Sequence, residues 1–362
     1  MPRDPGIYPR RTGVRPGNGV RRLLVASTVL LWAGSVQADL DVHFIDVGQG
    51  DAVLLATADA RILVDGGGAG GQVSDYLAAL GVTDLDLVVA THAHADHIGG
   101  LTDLLQAGDI AVDALWYNGQ THTTVTFETF IDAIAAAPGI DYREPVRGDR
   151  VSIDGIGVSV LHPATSAADA TGDLHDSMII LRADYGQTSV LLTGDAEVAL
   201  EASLLETGIS VHADILKLGH HGSSTSTSVA FLEAVSPEIA VYQAAADNRY
   251  GHPDDAVLAR LAAADIAVYG TDTHGTVVAR SDGKNWAVPD IDGAPLMAAA
   301  ACVDLNAATP DRLAEIVHIG PARAEAVAAA RPFGSIDELG RVPGIGPARL
   351  ADIAAQGLAC GP

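Results

Sequence analysis

The stretch that most restricts what this chain can fold into is Thr91-His92-Ala93-His94-Ala95-Asp96-His97-Ile98-Gly99-Gly100. Three imidazoles and one carboxylate fall within six positions. Leu85-Asp86-Leu87-Val88-Val89-Ala90, just before it, is a short apolar run that reads as a buried strand. Leu101-Thr102-Asp103-Leu104-Leu105, just after it, reads as the first turns of a helix. The cluster therefore sits at a strand-to-helix junction, where side chains can point into a cleft. His92 and His94 can reach one metal ion from the extended segment, and Asp96 and His97 a second from the helix start. Imidazole suits Zn, Fe and Ni, and the carboxylate admits Mn. Buried His and Asp at this density need partners.

The HxHxDH spacing resembles the metal-binding signature of the metallo-β-lactamase fold. Asp46-Val47-Gly48-Gln49-Gly50-Asp51, the step Val64-Asp65-Gly66-Gly67 and the block around His92 narrow the likeness. Together they resemble the metallo-β-lactamase-type domain of ComEC proteins, which serve DNA uptake. The likeness covers roughly 40–288. Alternating apolar and polar residues predict a strand at 40–47, and short apolar runs predict others near 52–55, 62–65, 115–117, 158–161, 178–181, 188–192, 213–218, 239–242, 267–269 and 276–279. Helices are expected around 73–79 and 124–137. Two strand sets, each followed by helices, give an α/β class with an αββα metallo-β-lactamase sandwich.

Two metals need more ligands than the first cluster supplies. Leu191-Leu192-Thr193-Gly194-Asp195 offers a carboxylate at a strand end, and Leu218-Gly219-His220-His221-Gly222 offers imidazoles in the same kind of place. In the family the matching aspartate bridges both metals, which implies that role for Asp195. By resemblance His220 is the ligand of the second metal, and His221 holds substrate or donates a proton; the two roles can be exchanged. The third histidine of the hydrolytic lactamases has no clear match in Asp173-Leu174-His175-Asp176-Ser177. Asp176 takes that slot on the family pattern, with His175 as its rival. The expected set is thus His92, His94, Asp96, His97, Asp176, Asp195 and His220 around two divalent ions, Zn or Mn, with Asp96, His221 and His252 in the chemistry. A metal pair can hold a bridging water, lower its pKa and stabilise both oxygens of an in-line phosphodiester displacement. Ser223 to Thr227 offer hydroxyls to a phosphate, and His252, in a further ComEC-like motif from Asn248, is a proton donor to the leaving oxygen. Asp46, Gln49, Asp51 and Asp65 are expected to orient ligands instead of binding metal.

A second module begins at Val303. His318-Ile319-Gly320-Pro321-Ala322-Arg323 and Gly344-Ile345-Gly346-Pro347-Ala348-Arg349 repeat one pattern, each following a short helical stretch and opening another. This resembles a tandem helix-hairpin-helix domain, as in the DNA receptor ComEA. Its small all-α fold implies that Gly320, Arg323, Gly344, Gly346 and Arg349 grip DNA without reading sequence. Turns of this kind bring backbone close to phosphate and aim a helix N-terminus at it. The chain of 362 residues carries a formal net charge of −25, which argues against a broad electrostatic nucleic-acid footprint. The segment 303–362 holds seven acidic residues against five Arg, so it is the least repulsive part for a polyanion.

Arg21-Arg22, the apolar run Leu23–Val36 and the small-residue pattern before Asp39 read as an export segment over 1–38. The mature chain is then expected without a stable membrane span, secreted or periplasmic. The domain plan is 39–288 for the metallo-β-lactamase-like domain, 289–302 for a linker and 303–362 for the DNA-binding domain. Cys302 and Cys360 bracket the last segment and could close one disulfide. The expected function is an exported metal-dependent DNase. Its rivals are a DNA-uptake accessory with a structural metal site, and a hydrolase of another small ester or phosphodiester. The sequence does not set the oligomeric state.

Overall fold

The computed structural model describes residues 39–137, 139–168, 172–288, 303–306, 308–314, 316–356 and 359–360. The export segment and linker, and with them Cys302, lie outside the described residues.

Short apolar runs become strands buried on both faces. In Leu87–Ala90 every residue is buried. Leu87 and Val89 point into the core between two sheets, while Val88 and Ala90 point outward under helices. That split follows from the two-residue side-chain period of a strand. Among the described residues one sheet has eight strands, ordered Trp286–Ala287, Val277–Ser281, Leu40–Phe44, Val53–Ala56, Arg61–Val64, Leu87–Ala90, Ala114–Tyr117 and Asp141–Arg143. The other has seven, ordered Ala267–Gly270, Ile239–Tyr242, Ile215–Lys217, Thr188–Leu192, Ile180–Tyr185, Ile156–His162 and Arg150–Ile153. Val42, Phe44, Val64 and Trp116 of the first meet Val158, Leu181, Val190 and Ile215 of the second in the inner core. Helices Gln72–Ala79, Ala95–Ala107 and Val125–Ala136 cover the outer face of the first sheet through Leu77, Ile98, Leu101, Leu104 and Phe130. Helices Val198–Glu206, Val229–Val235 and Asp255–Ala263 cover the second through Leu200, Leu204, Phe231, Val257 and Leu261. The order of layers is αββα.

Parallel crossovers put loops at the carboxyl ends of strands, the usual place for a site in α/β sheets. Arg61–Val64 pairs in parallel with Leu87–Ala90, and Thr188–Leu192 with Ile215–Lys217. Close packing fixes the first of these ends. A Cβ on Gly100 would lie 2.0 Å from the Gly66 oxygen, so only glycine lets the helix touch the turn after Val64.

The chain from Val303 has its own core, built on Leu305, Leu313, Ile316, Ile319, Val327, Phe333, Leu339, Val342, Ile345 and Ile353. Helices Pro310–Leu313, Pro321–Ala329 and Pro347–Gln356 are joined by turns, and Val303–Asp304 pairs with Ala359–Cys360.

Candidate metal centre

Five short segments converge on one cleft. His92 and His94 follow the strand Leu87–Ala90; Asp96 and His97 open the helix Ala95–Ala107, with His94 as its N-cap residue. Asp96 in that first turn suits the positive end of the helix dipole. His175 comes from the 3-10 turn Leu174–Asp176, Asp195 from just beyond Thr188–Leu192, and His221 from the turn after Ile215–Lys217.

These residues form two adjacent groups. His92, His94, His175 and Asp195 offer ligand atoms within 4.8 Å of one another, as do Asp96, His97 and His221. Asp195 joins them: its Oδ2 lies 3.2 Å from His97 Nε2, 3.5 Å from His221 Nε2, 3.8 Å from His92 Nε2 and 3.9 Å from His175 Nε2. His221 Nε2 also sits 3.3 Å from Asp96 Oδ2. His97 Nε2, His175 Nε2, His221 Nε2 and Asp195 Oδ1 are buried without a hydrogen-bond partner. Orphaned buried atoms are rare in folded proteins. Four together, all imidazole nitrogen or carboxylate oxygen, fit divalent cations.

Two expected ligands fall outside these two groups, although His220 forms a further group with His175 and Glu197. Asp176 stands exposed outside both groups, and His175 faces the cleft in its stead. The cause is the 3-10 turn: Asp173 accepts the His175 N–H at 2.9 Å and caps it, turning successive side chains to different sides. His220 likewise lies outside the Asp96–His97 group, which takes His221. Both histidines have left-handed backbones, with φ 46° at His220 and 56° at His221. That turn buries His221 and leaves His220 half-exposed, its Nδ1 3.2 Å from Glu197 Oε1 and 3.3 Å from Thr225 Oγ1. His221 therefore cannot serve as the free proton donor. Of the expected phosphate cradle, Ser224 and Thr225 are exposed and the other three residues are not. Ser223, Ser226 and Thr227 are buried, and Ser226 Oγ donates to Gly219 O at 2.6 Å.

Second contacts hold the rings. Asp65 Oδ2 faces His97 Nδ1 at 2.8 Å and accepts the Thr91 hydroxyl at 2.7 Å, while Oδ1 accepts the Thr91 N–H at 2.8 Å. His221 Nδ1 lies 3.0 Å from Gln243 O and 3.1 Å from Asp51 Oδ1. Each ring is thus oriented through Nδ1 and presents Nε2 to the cleft. Asp51 also pairs with Lys217 Nζ, which donates to Gly194 O at 3.1 Å. Sequence reasoning missed this lysine; the signal was one of only two lysines in the chain, set inside an apolar strand. Asp46 is exposed and accepts from Gly48 N, away from the rings. Gln49 lines the cleft.

Charge sorts the rings without a cation bound. Burial, then neighbouring imidazoles, pushes His92 well below the ordinary histidine range and His94 down to about 4. Burial acts the same way on His97 and His221, but Asp195 with Asp65 or Asp51 outweighs it. His97 is raised well above its ordinary value, and His221 to about 9. Burial opposes the charge on Asp195 too, yet His221 and His97 hold its pKa well below the carboxylate range.

The profile of the metallo-beta-lactamase superfamily matches residues 45–245. The chain belongs to the metallo-β-lactamase superfamily. The superfamily's metallo-hydrolase fold implies divalent cations at this cleft. A helix-hairpin-helix motif matches residues 299–356. Relatives of this metallo-β-lactamase chain include ComE operon protein 3 of Bacillus subtilis (strain 168), 32% identical over 257 residues, 66% of this chain and 32% of that protein. Competence protein ComA of Neisseria gonorrhoeae is 32% identical over 286 residues, 75% of this chain and 36% of that protein. The chain spans about a third of the length of these two relatives. A protein named Deoxyribonuclease, from Thioalkalivibrio sp. (strain K90mix), is 46% identical over 61 residues, 17% of each chain.

In the helix-hairpin-helix module the two turns share one brace. Arg323 Nη1 donates to His318 O and Arg349 Nη1 to Gly344 O, both at 2.6 Å. His318 adopts φ 65° where the second turn has Gly344 at 89°. Gly320 and Gly346 are exposed, and a Cβ on either would meet nothing. The packing of the fold itself does not require glycine there. Among the described residues no helix is long and apolar enough to cross a membrane.

Proposed function

We propose that the chain is a metal-dependent phosphodiesterase acting on DNA, which its C-terminal module holds without reading sequence. One observation carries this reading: two ligand groups share Asp195 in one cleft of about 240 Å3, with four of their buried atoms lacking a hydrogen-bond partner. His92, His94, His175 and Asp195 would hold one divalent cation, and Asp96, His97, His221 and Asp195 the other. Such ions, when bound, activate water at neutral pH and offset charge on a phosphate during in-line displacement. The imidazole and carboxylate donors suit Zn and Mn alike.

The chain's own residues complete the site. Asp65 and Asp51 fix the His97 and His221 rings through Nδ1 and keep them from turning away. His252 lines the same cleft with Nδ1 buried and unpartnered. On this reading it passes a proton to the leaving alkoxide. Burial, with His220 and His221 beside it, lowers its pKa, so the ring carries the extra proton only toward acid pH and a proton-donor role strengthens as pH falls. His220, anchored through Nδ1 to Glu197, lines the cleft as a contact for a phosphate oxygen. Gly320 and Gly346, with Arg323 and Arg349 bracing the turns, form the DNA grip.

The competence-protein names of two relatives and the deoxyribonuclease name of the partial one support DNA as substrate. Export through 1–38 would bring the enzyme to external DNA. The test is incubation of purified protein with linear and circular DNA under Mn, Zn and Mg, beside the His94→Ala/Asp96→Ala variant. Cleavage by the parent, abolished in the variant with DNA retention kept, supports the reading. DNA retention without cleavage under every metal overturns it in favour of a binding accessory.

A further inference from the structure

The metal-facing groups form the floor of the cleft, and a different set of side chains forms its lip. That lip is the turn 245–252, closed by one amide. Asn248 Nδ2 donates to Ala245 O at 2.8 Å and His252 O at 2.6 Å. Asn248 Oδ1 accepts from Tyr250 N at 3.1 Å and His252 N at 3.0 Å. The turn holds Tyr250 outward, 55% exposed, on the lining of the cleft that also includes Asp96, Asp195 and His221. All five Phe of the chain are buried. Among the described residues the exposed tyrosine rings are Tyr142 and Tyr250, and of these Tyr250 lines the cleft.

Three rings rise in near-parallel planes from floor to surface. His221 and His252 stack with centroids 6.3 Å apart and planes 28° apart. His252 and Tyr250 stack at 5.8 Å and 23°. Arg249 extends the column: its guanidinium carbon lies 5.0 Å from the Tyr250 centroid, and Nη2 donates to Tyr250 Oη at 2.8 Å. A guanidinium is planar, stacks on π faces and meets phosphate. Aromatic platforms beside a cationic group are how single-stranded nucleic acid is held, since every base has a π face.

We propose that the outer face of Tyr250, whose other face stacks on His252, is a stacking subsite for an unpaired nucleobase next to the scissile phosphate, the base taking the place of the Arg249 guanidinium on that face and freeing it to meet the phosphate. The inference rests on the cleft being a DNA-cleaving site and adds its substrate class. A base inside a duplex is covered on both faces by its neighbours. The subsite therefore favours single strands and frayed ends over blunt duplex. Because stacking is indifferent to base identity, it confers strand preference without sequence preference.

The test compares the parent, Tyr250→Ala and Tyr250→Phe on three substrates: a labelled single strand, its blunt duplex, and a strand of abasic analogues of equal length. Tyr250→Ala is expected to raise KM on the single strand by roughly five- to 100-fold, with kcat within about twofold. Tyr250→Phe keeps the parental KM, and the parent on the abasic strand behaves as Tyr250→Ala does on the normal one. Equal KM for parent and Tyr250→Ala on the single strand, or an equal loss on the abasic strand, overturns the subsite. A readout that needs no cleavage separates this from the nuclease reading. In chelator, a 2-aminopurine single strand should be quenched by the parent and Tyr250→Phe but not by Tyr250→Ala. Quenching by a protein that never cuts DNA sinks the nuclease and keeps the subsite; no Tyr250-dependent quenching sinks the subsite.

Discussion

Replacing Lys217 by Met tests whether the second contacts, and not only the ligands, hold the centre. The Lys217 side chain is 1% exposed and its partner Asp51 4%. Removing one member of a buried ion pair strands the other charge and costs about 3–5 kcal/mol, against about 0–1 for an exposed pair. In a domain of this size that is a fall of about 6–20 °C in the thermal midpoint. His221 Nδ1, 3.1 Å from Asp51, offsets part of the loss without matching a full ion pair. The sign with pH follows. Burial opposes charge on Asp51, but Lys217 and His221 outweigh it and depress its pKa. A depressed carboxylate stabilises the fold above its unfolded pKa, and that stability is lost as pH falls through the folded value. Lys217→Met raises the folded value, so acid unfolding moves to higher pH. Urea denaturation at several pH values, in a cycle with Asp51→Asn, is the assay. The double variant should cost less than the sum of the singles, since swapping both partners of a buried pair can be nearly neutral. A loss below about 1 kcal/mol, or additive singles, refutes the reasoning.

Other outcomes follow from the same geometry. Gly100→Ala should destabilise by at least about 1–3 kcal/mol through collision with Gly66, although helix propensity alone favours Ala; a stabilised variant in thermal melts contradicts the close approach. Cation binding must displace protons from His97 and His221, both raised when no cation is bound, so apparent affinity should fall as pH drops below about 9. Titration calorimetry in buffers of different ionisation enthalpy should find about two protons released near neutral pH, and none released would contradict it. Arg323→Ala/Arg349→Ala should weaken plasmid binding in gel shifts and lower the salt slope by about one per residue, leaving cleavage of a small phosphodiester unchanged. An unaltered salt slope removes these arginines from the DNA grip.

The sandwich and the first metal-facing cluster were legible because their signals are local. Strand-length apolar runs fixed Leu87–Ala90, and the HxHxDH spacing put His92, His94, Asp96 and His97 at one strand end. The family and the helix-hairpin-helix motif followed from the same local patterns. The remaining positions depended on backbone twists that spacing does not encode. His175 displaces Asp176 because Asp173 caps a 3-10 turn, and His221 displaces His220 because both backbones turn left-handed. Ser226 and Thr227 looked available to phosphate, yet their hydroxyls are buried in the turn that carries His221. Lys217 stood out in the sequence only as a lysine inside an apolar strand; its role exists only when Asp51, far away in sequence, lies across from it in the folded core.

Crystals grown with Mn or Zn and measured at the metal's absorption edge test the central claim most directly. Two anomalous peaks should appear, one among His92, His94, His175 and Asp195, the other among Asp96, His97, His221 and Asp195. A cleft without anomalous density at saturating metal, or peaks that leave Asp195 uncoordinated, would contradict the shared two-cation centre on which the account depends.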